Sequence, residues 1–170
     1  MLGASFFAII AFVALFVALK PSAPVGAVIG ATVAVIVHVL FLAYYPVMLA
    51  LGQLAKHYQN AAAAQQRSFA TAAEALVAIN NAFNPLYEAA FAVGILFLSL
   101  AMLHSPFGKK VAVLGMVTTV AAFVGLSLWS VLGIGYFWWW LLFVFWFVVA
   151  GWKLYQLGVK VSRDRCESTV

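Results

Sequence analysis

The sequence predicts an all-α fold, a polytopic transmembrane helical bundle of five spans, and three observations carry that prediction. Apolar residues make up 67% of the chain and charged residues only 8%, against about 25% charged in soluble domains. Mean hydropathy is +1.11. Five apolar runs are long enough to cross about 30 Å of hydrocarbon, which takes roughly 20 helical residues. The connections Lys20 to Pro24, His104 to Lys110 and Gly133 to Gly135 are short and rich in Pro, Gly or Lys, which makes neighbouring spans antiparallel. The 170 residues are expected to form a single transmembrane domain.

Span one, 2–19, is uncharged, and no basic leader follows Met1, so the segment is expected to be retained. Ala4, Ala8, Ala11 and Ala18 offer it a small-residue face. Span two, 25–51, carries Gly26, Gly30 and Ala34 four apart, a ridge on which another helix can approach closely. Pro46, after Tyr44 and Tyr45, should bend its far end. The connector 52–81 is rich in Ala and Gln, both helix formers, and predicts a helical hairpin or interfacial helix running into span three. It reads as a lid or partner surface, or as a solvated connector.

Span three covers 82–103, span four 111–132 and span five 136–157, with a polar tail over 158–170. Span four has small residues at Ala121 and Gly125. Span five has Trp138, Trp139 and Trp140 at one end and Trp152 and Tyr155 at the other, as interfacial anchors. Lys153 can reach the headgroups along its apolar stem and need not be a buried functional charge. Lys20, Lys109, Lys110, Lys153, Lys160, Arg163 and Arg165 fall on one side, against Lys56 and Arg67 on the other. The bias of seven to two predicts a cytoplasmic C-terminus and an N-terminus outside.

The net charge of +5 does not point to nucleic acid, because the basic residues sit at span ends and in the tail, with no basic face interleaved with aromatics. Cys166 is the only cysteine, so one chain builds no disulfide framework or multi-cysteine metal site. No glycine-rich phosphate loop, Ser/His/Asp set or metal-spaced His/Cys cluster occurs, which disfavours a hydrolase or metalloenzyme. No catalytic residue is assigned.

Candidate ligand or ion residues lie on span three. Glu74, Asn81 and Glu88 are seven apart, and seven residues fall about 20° short of two full turns, so the three share a face. Ser99 returns to that face, and Asn80 and Asn84 flank it. Pro85 removes a donor to the Asn81 carbonyl and predicts a kink with a free acceptor. Glu88 is placed about 22 Å from the inner boundary at Leu103, so its carboxyl must be paired, hydrated or protonated. Two readings stand. One is an outward-facing polar cleft for a cation, a proton or a polar head group; the other is a structural role, either a hydrogen bond to a neighbouring helix with Tyr44, Tyr45 or Thr118 as donor, or solvation near the outer surface.

His38 continues the Gly26, Gly30, Ala34 ridge and should face protein. A buried neutral imidazole can hydrogen-bond across helices, hold haem iron or a pigment magnesium, or relay protons. His57 and His104 fall at span ends, so one chain gives weak support to bis-histidine haem. No cofactor is required by the sequence; a pigment or haem at His38 is the cofactor reading that stays open. Partners are membrane lipids together with other membrane subunits or further copies of the chain.

The runs RSFATAAEALVAINNAF, FAVGILFLSLAMLHSPFGKKVAVLGMVTTVAAFVGL and FVVAGWKLYQLG resemble the bacterial multi-pass membrane family called domain of unknown function 4386, over about residues 66–158. The features that carry the resemblance are the A-A-E-A-L start, the A-M-L-H-S turn before Phe107, and G-W-K-L at Gly151 to Leu154. Members tend to have more than five spans, which implies divergence or a further N-terminal helix. The resemblance implies a bacterial inner-membrane bundle and brings no catalytic residues. Together these features predict a non-enzymatic small accessory subunit or ligand-binding module. The rivals are a pigment- or haem-binding subunit using His38 and a proton, cation or small-solute transporter acting as an oligomer through Glu88.

Overall fold

The computed structural model describes residues 2–128 and 138–167. Every element among the described residues is a helix: α1 (Leu2–Leu19), α2 (Pro24–Asn60), α3 (Ala63–Leu103), α4 (Lys109–Ser127) and α5 (Trp138–Glu167). Helices α2, α3, α4 and α5 are long and apolar enough to cross a membrane. Helix α1 is shorter, 18 residues or about 27 Å, and lies beside them.

Local chemistry sets the ends. Pro24 starts α2 from the first turn, where its missing N–H is not needed. After α3, the Ser105 hydroxyl donates to the Met102 carbonyl at 3.0 Å and accepts from the Phe107 N–H at 3.3 Å. Gly108 then takes φ 87°, a left-handed value that favours glycine, and the chain turns into α4. Phe107, 2% exposed, plugs that end of the bundle.

Helix α3 is the centre of the bundle, with α2 on one flank and α4 on the other; α1 packs on α2, and α5 on α4. The small-residue ridge of α2 meets α3. A methyl group on Gly30 would come within 2.7 Å of the Leu98 backbone nitrogen, and one on Gly94 within 3.2 Å of the Ala34 nitrogen. Such close approach gives dispersion contacts and no side-chain ordering cost, the main source of helix association in lipid. The packed face of α1 is Ser5, Phe12, Leu15 and Leu19, whereas Ala4 is exposed and Ala8, Ala11 and Ala18 are only partly buried. Large residues interlock there in place of an alanine face.

Helices α2 and α3 greatly exceed their neighbours, at 37 and 41 residues against 18 and 19 in α1 and α4. Burial in α2 ends at His38, and in α3 it begins only at Glu88. The remainder pairs with itself: the Tyr44 hydroxyl donates to Asn80 Oδ1 at 3.3 Å, Tyr44 stacks on Phe83, and His57 stacks on Phe69. The expected connector is thus a continuation of both helices, turning at Ala61 and Ala62. Pro46 and Pro85 both lie within unbroken helix. Residues 158–167, expected as a polar tail, continue α5, while the Gly133 to Gly135 connection lies outside the described residues.

Candidate functional site

The polar stripe of α3 divides at the mouth of the bundle. Glu74 and Asn81 are exposed on the protruding arm and Asn84 is half-buried, whereas Glu88 is 4% exposed. Seven-residue spacing keeps the three on one face, but α4 and α5 cover that face only from Glu88 inward. The structure therefore does not gather Glu74, Asn81 and Glu88 into one cleft.

The groups turned to the Glu88 carboxyl are the indoles of Trp139 and Trp140 at the start of α5. Glu88 Oε2 itself is buried with no hydrogen bond of good geometry. Of the donors expected from sequence, Tyr44 is engaged with Asn80, and Thr118 with the Leu114 carbonyl at 2.9 Å. Trp138 is 69% exposed, as the expected anchor role requires, but Trp139 is 2% exposed and belongs to the interior. Successive helical residues are about 100° apart, so three adjacent tryptophans point in different directions and the rotation of α5 decides which of them faces inward.

His38 lies one layer deeper. Its Nδ1 is 2.8 Å from the Ala34 carbonyl oxygen. A carbonyl can only accept, so Nδ1 carries the proton and, in the neutral ring, Nε2 holds the lone pair. The ring is packed between Phe12 and Phe91, with centroid distances of 5.4 and 5.1 Å. Phe91 also meets Phe143 at 4.8 Å, so four helices join through one aromatic cluster. Each such pair contributes about 0.5–1.5 kcal/mol beyond its area.

Below this cluster a second polar group is enclosed. Ser99 Oγ and Trp146 Nε1 are both buried without partners and converge on Gly115, where a methyl group would overlap Ser99 Oγ and sit 2.5 Å from Trp146 Nε1. Beside them the Thr119 hydroxyl lies 3.3 Å from the Ala92 carbonyl and 3.1 Å from that of Gly115, tying α4 to α3. Sequence reasoning placed Ser99 on the Glu88 face but had no signal for Trp146, which reads as one more apolar residue of span five.

On the outer side of the α2–α3 pair is a groove of about 80 Å³, lined by Val37, Leu40, Phe41, Tyr44, Phe83, Asn84, Leu86, Tyr87 and Ala90. Among the described residues no group of three or more His, Cys, Asp or Glu side chains could hold a metal ion. No family model, curated protein or solved structure matched the chain.

Proposed function

We propose that this integral membrane protein is a non-enzymatic accessory subunit of a bacterial inner-membrane assembly, and that the α2–α3 arm is its partner-binding element. The observation that carries this reading is the length of α2 and α3, about 55 and 61 Å, against the roughly 30 Å needed to cross the hydrocarbon. A two-helix arm buries little surface by itself. It nonetheless exposes Leu49 at 53%, Tyr58 at 43% and Ile79 at 49%, the kind of apolar surface that a partner covers. The basic bias at the opposite end favours an arm outside and a C-terminus in the cytoplasm.

Photo-crosslinkers placed at Ala64 and Ala72, both exposed on the arm, test the reading in native membranes, with lipid-facing Val117 as control. Discrete adducts from the arm and none from Val117 are expected. An adduct of twice the chain mass identifies the partner as a second copy. Absence of arm adducts removes the reading.

Transport by one chain is disfavoured by what lies inward of Glu88. Phe91, Ala92, Ile95, Leu98 and Met102 are fully buried there, and the polar side chains among them, Ser99, Thr118 and Thr119, carry no ionisable group. Proton or cation flux in liposomes that Glu88→Gln abolishes would restore the transport reading. A pigment or haem at His38 is supported by the free Nε2 lone pair, but a ligand there must displace Phe12 or Phe91. Visible absorbance in the purified protein, lost in His38→Phe, would establish it.

A further inference from the structure

The groove on the outer face of α2 and α3 combines an apolar trough with unpaired polar groups at one end. Its floor and sides are Val37, Leu40, Phe41, Leu86 and Ala90, and it runs from there to Tyr44, Phe83 and Asn84. Seven residues of either helix, about 10 Å, separate the two ends. Leu40 and Leu86, 51% and 68% exposed, flank it, so the groove opens towards the bilayer and not into the bundle. The medium on that side consists of acyl chains.

The polar end has two features that the fold does not satisfy. Asn84 lines the groove, and among the described residues its amide makes no hydrogen bond, whereas Asn80 beside it accepts from Tyr44. Pro85 has no N–H, so the Asn81 carbonyl lacks its usual helical donor. Side chains on a helix tilt towards the preceding turn. The Asn84 amide, which lines the groove, therefore presents an available acceptor oxygen at its mouth, about one turn from the Asn81 carbonyl.

We propose that this groove binds a membrane phospholipid, with an acyl chain along Val37, Leu40 and Ala90 and a hydrogen-bond-donating head group on the Asn84 amide oxygen. A primary ammonium, as in phosphatidylethanolamine, supplies three N–H donors; the quaternary ammonium of phosphatidylcholine supplies none. The site discriminates by head group while the trough is indifferent to it. The proposal is independent of the arm's partner, since the groove lies on the membrane-embedded part of the hairpin.

Native mass spectrometry of the purified protein with dioleoyl phosphatidylethanolamine and dioleoyl phosphatidylcholine in equal amounts tests it. The ethanolamine lipid should be retained about fivefold better, as expected for one net hydrogen bond of about 1 kcal/mol. Asn84→Leu should reduce that preference to parity, and Ala90→Phe, which fills the trough, should lower retention of both lipids. Helical circular dichroism and a monodisperse elution profile show that each variant is folded. Equal retention of the two lipids by the unmodified protein, or a preference that survives Asn84→Leu, overturns the proposal.

Discussion

Gly30 and Gly94 differ in the room a methyl group would find, and that difference decides what substitution does. At Gly30 the added carbon meets backbone at 2.7 and 2.9 Å, which no side-chain rotation can relieve; at Gly94 the nearest contacts are 3.2 to 3.4 Å. Gly30→Ala should therefore destabilise the bundle by about 1–3 kcal/mol in a denaturant titration, and Gly94→Ala by distinctly less. Equal effects would mean that α2 and α3 are not held in this register. At Glu88 the carboxyl faces two indole N–H donors, so Glu88→Leu removes their acceptor while Glu88→Gln keeps one. The expected loss is about 1–3 kcal/mol for leucine and clearly smaller for glutamine, by the same titration. The sequence made Glu88 stand out as the one carboxylate requiring burial. It did not reveal Trp139 as a neighbour, because three adjacent tryptophans at a span end look alike until packing fixes the rotation of α5.

At the scale of elements, the hairpin has two regimes. Residues 27–38 of α2 and 88–102 of α3 contain the buried positions of those helices, whereas 47–60 and 63–80 face only each other and solvent. Hydrogen exchange on the isolated protein should show slow amides in the first pair of segments and faster exchange, rising towards Ala61, in the second. Uniform protection along both helices would mean that another copy already covers the arm. The helical nature of 52–81 was legible, since Ala and Gln favour helix and Gly52 is the sole Gly or Pro within it. Its run into span three was legible as well, and its continuity with span two was less so. Sequence hydropathy divides a helix where it leaves hydrocarbon, but backbone hydrogen bonding continues across that boundary. The groove was not legible either: Tyr44, Phe83 and Tyr87 belong to two helices, and their shared concavity appears only when Tyr44 stacks on Phe83 and Phe41 meets Tyr87.

For the whole molecule, the antiparallel helices place the Ala61 turn and the start of α5 at one end, with Lys20, Lys109 and the tail at the other. Cys166 is exposed on the last turns of α5. With the arm outside, a membrane-impermeant maleimide should label Cys166 in inverted vesicles and leave it unmodified in intact cells. The reverse result would invert the orientation without altering the fold. The overall class was legible because a chain so poor in charge has few ways to satisfy its backbone other than helices in lipid. The arm has a geometric consequence of its own. From Pro46 to Asn60 it rises about 22 Å, which on the proposed placement of the arm outside the bilayer holds its tip away from the headgroups. A protein confined to the bilayer plane cannot touch that tip, whereas one with an ectodomain of matching height meets it without bending, which makes the arm a filter on partner stature as well as on partner surface.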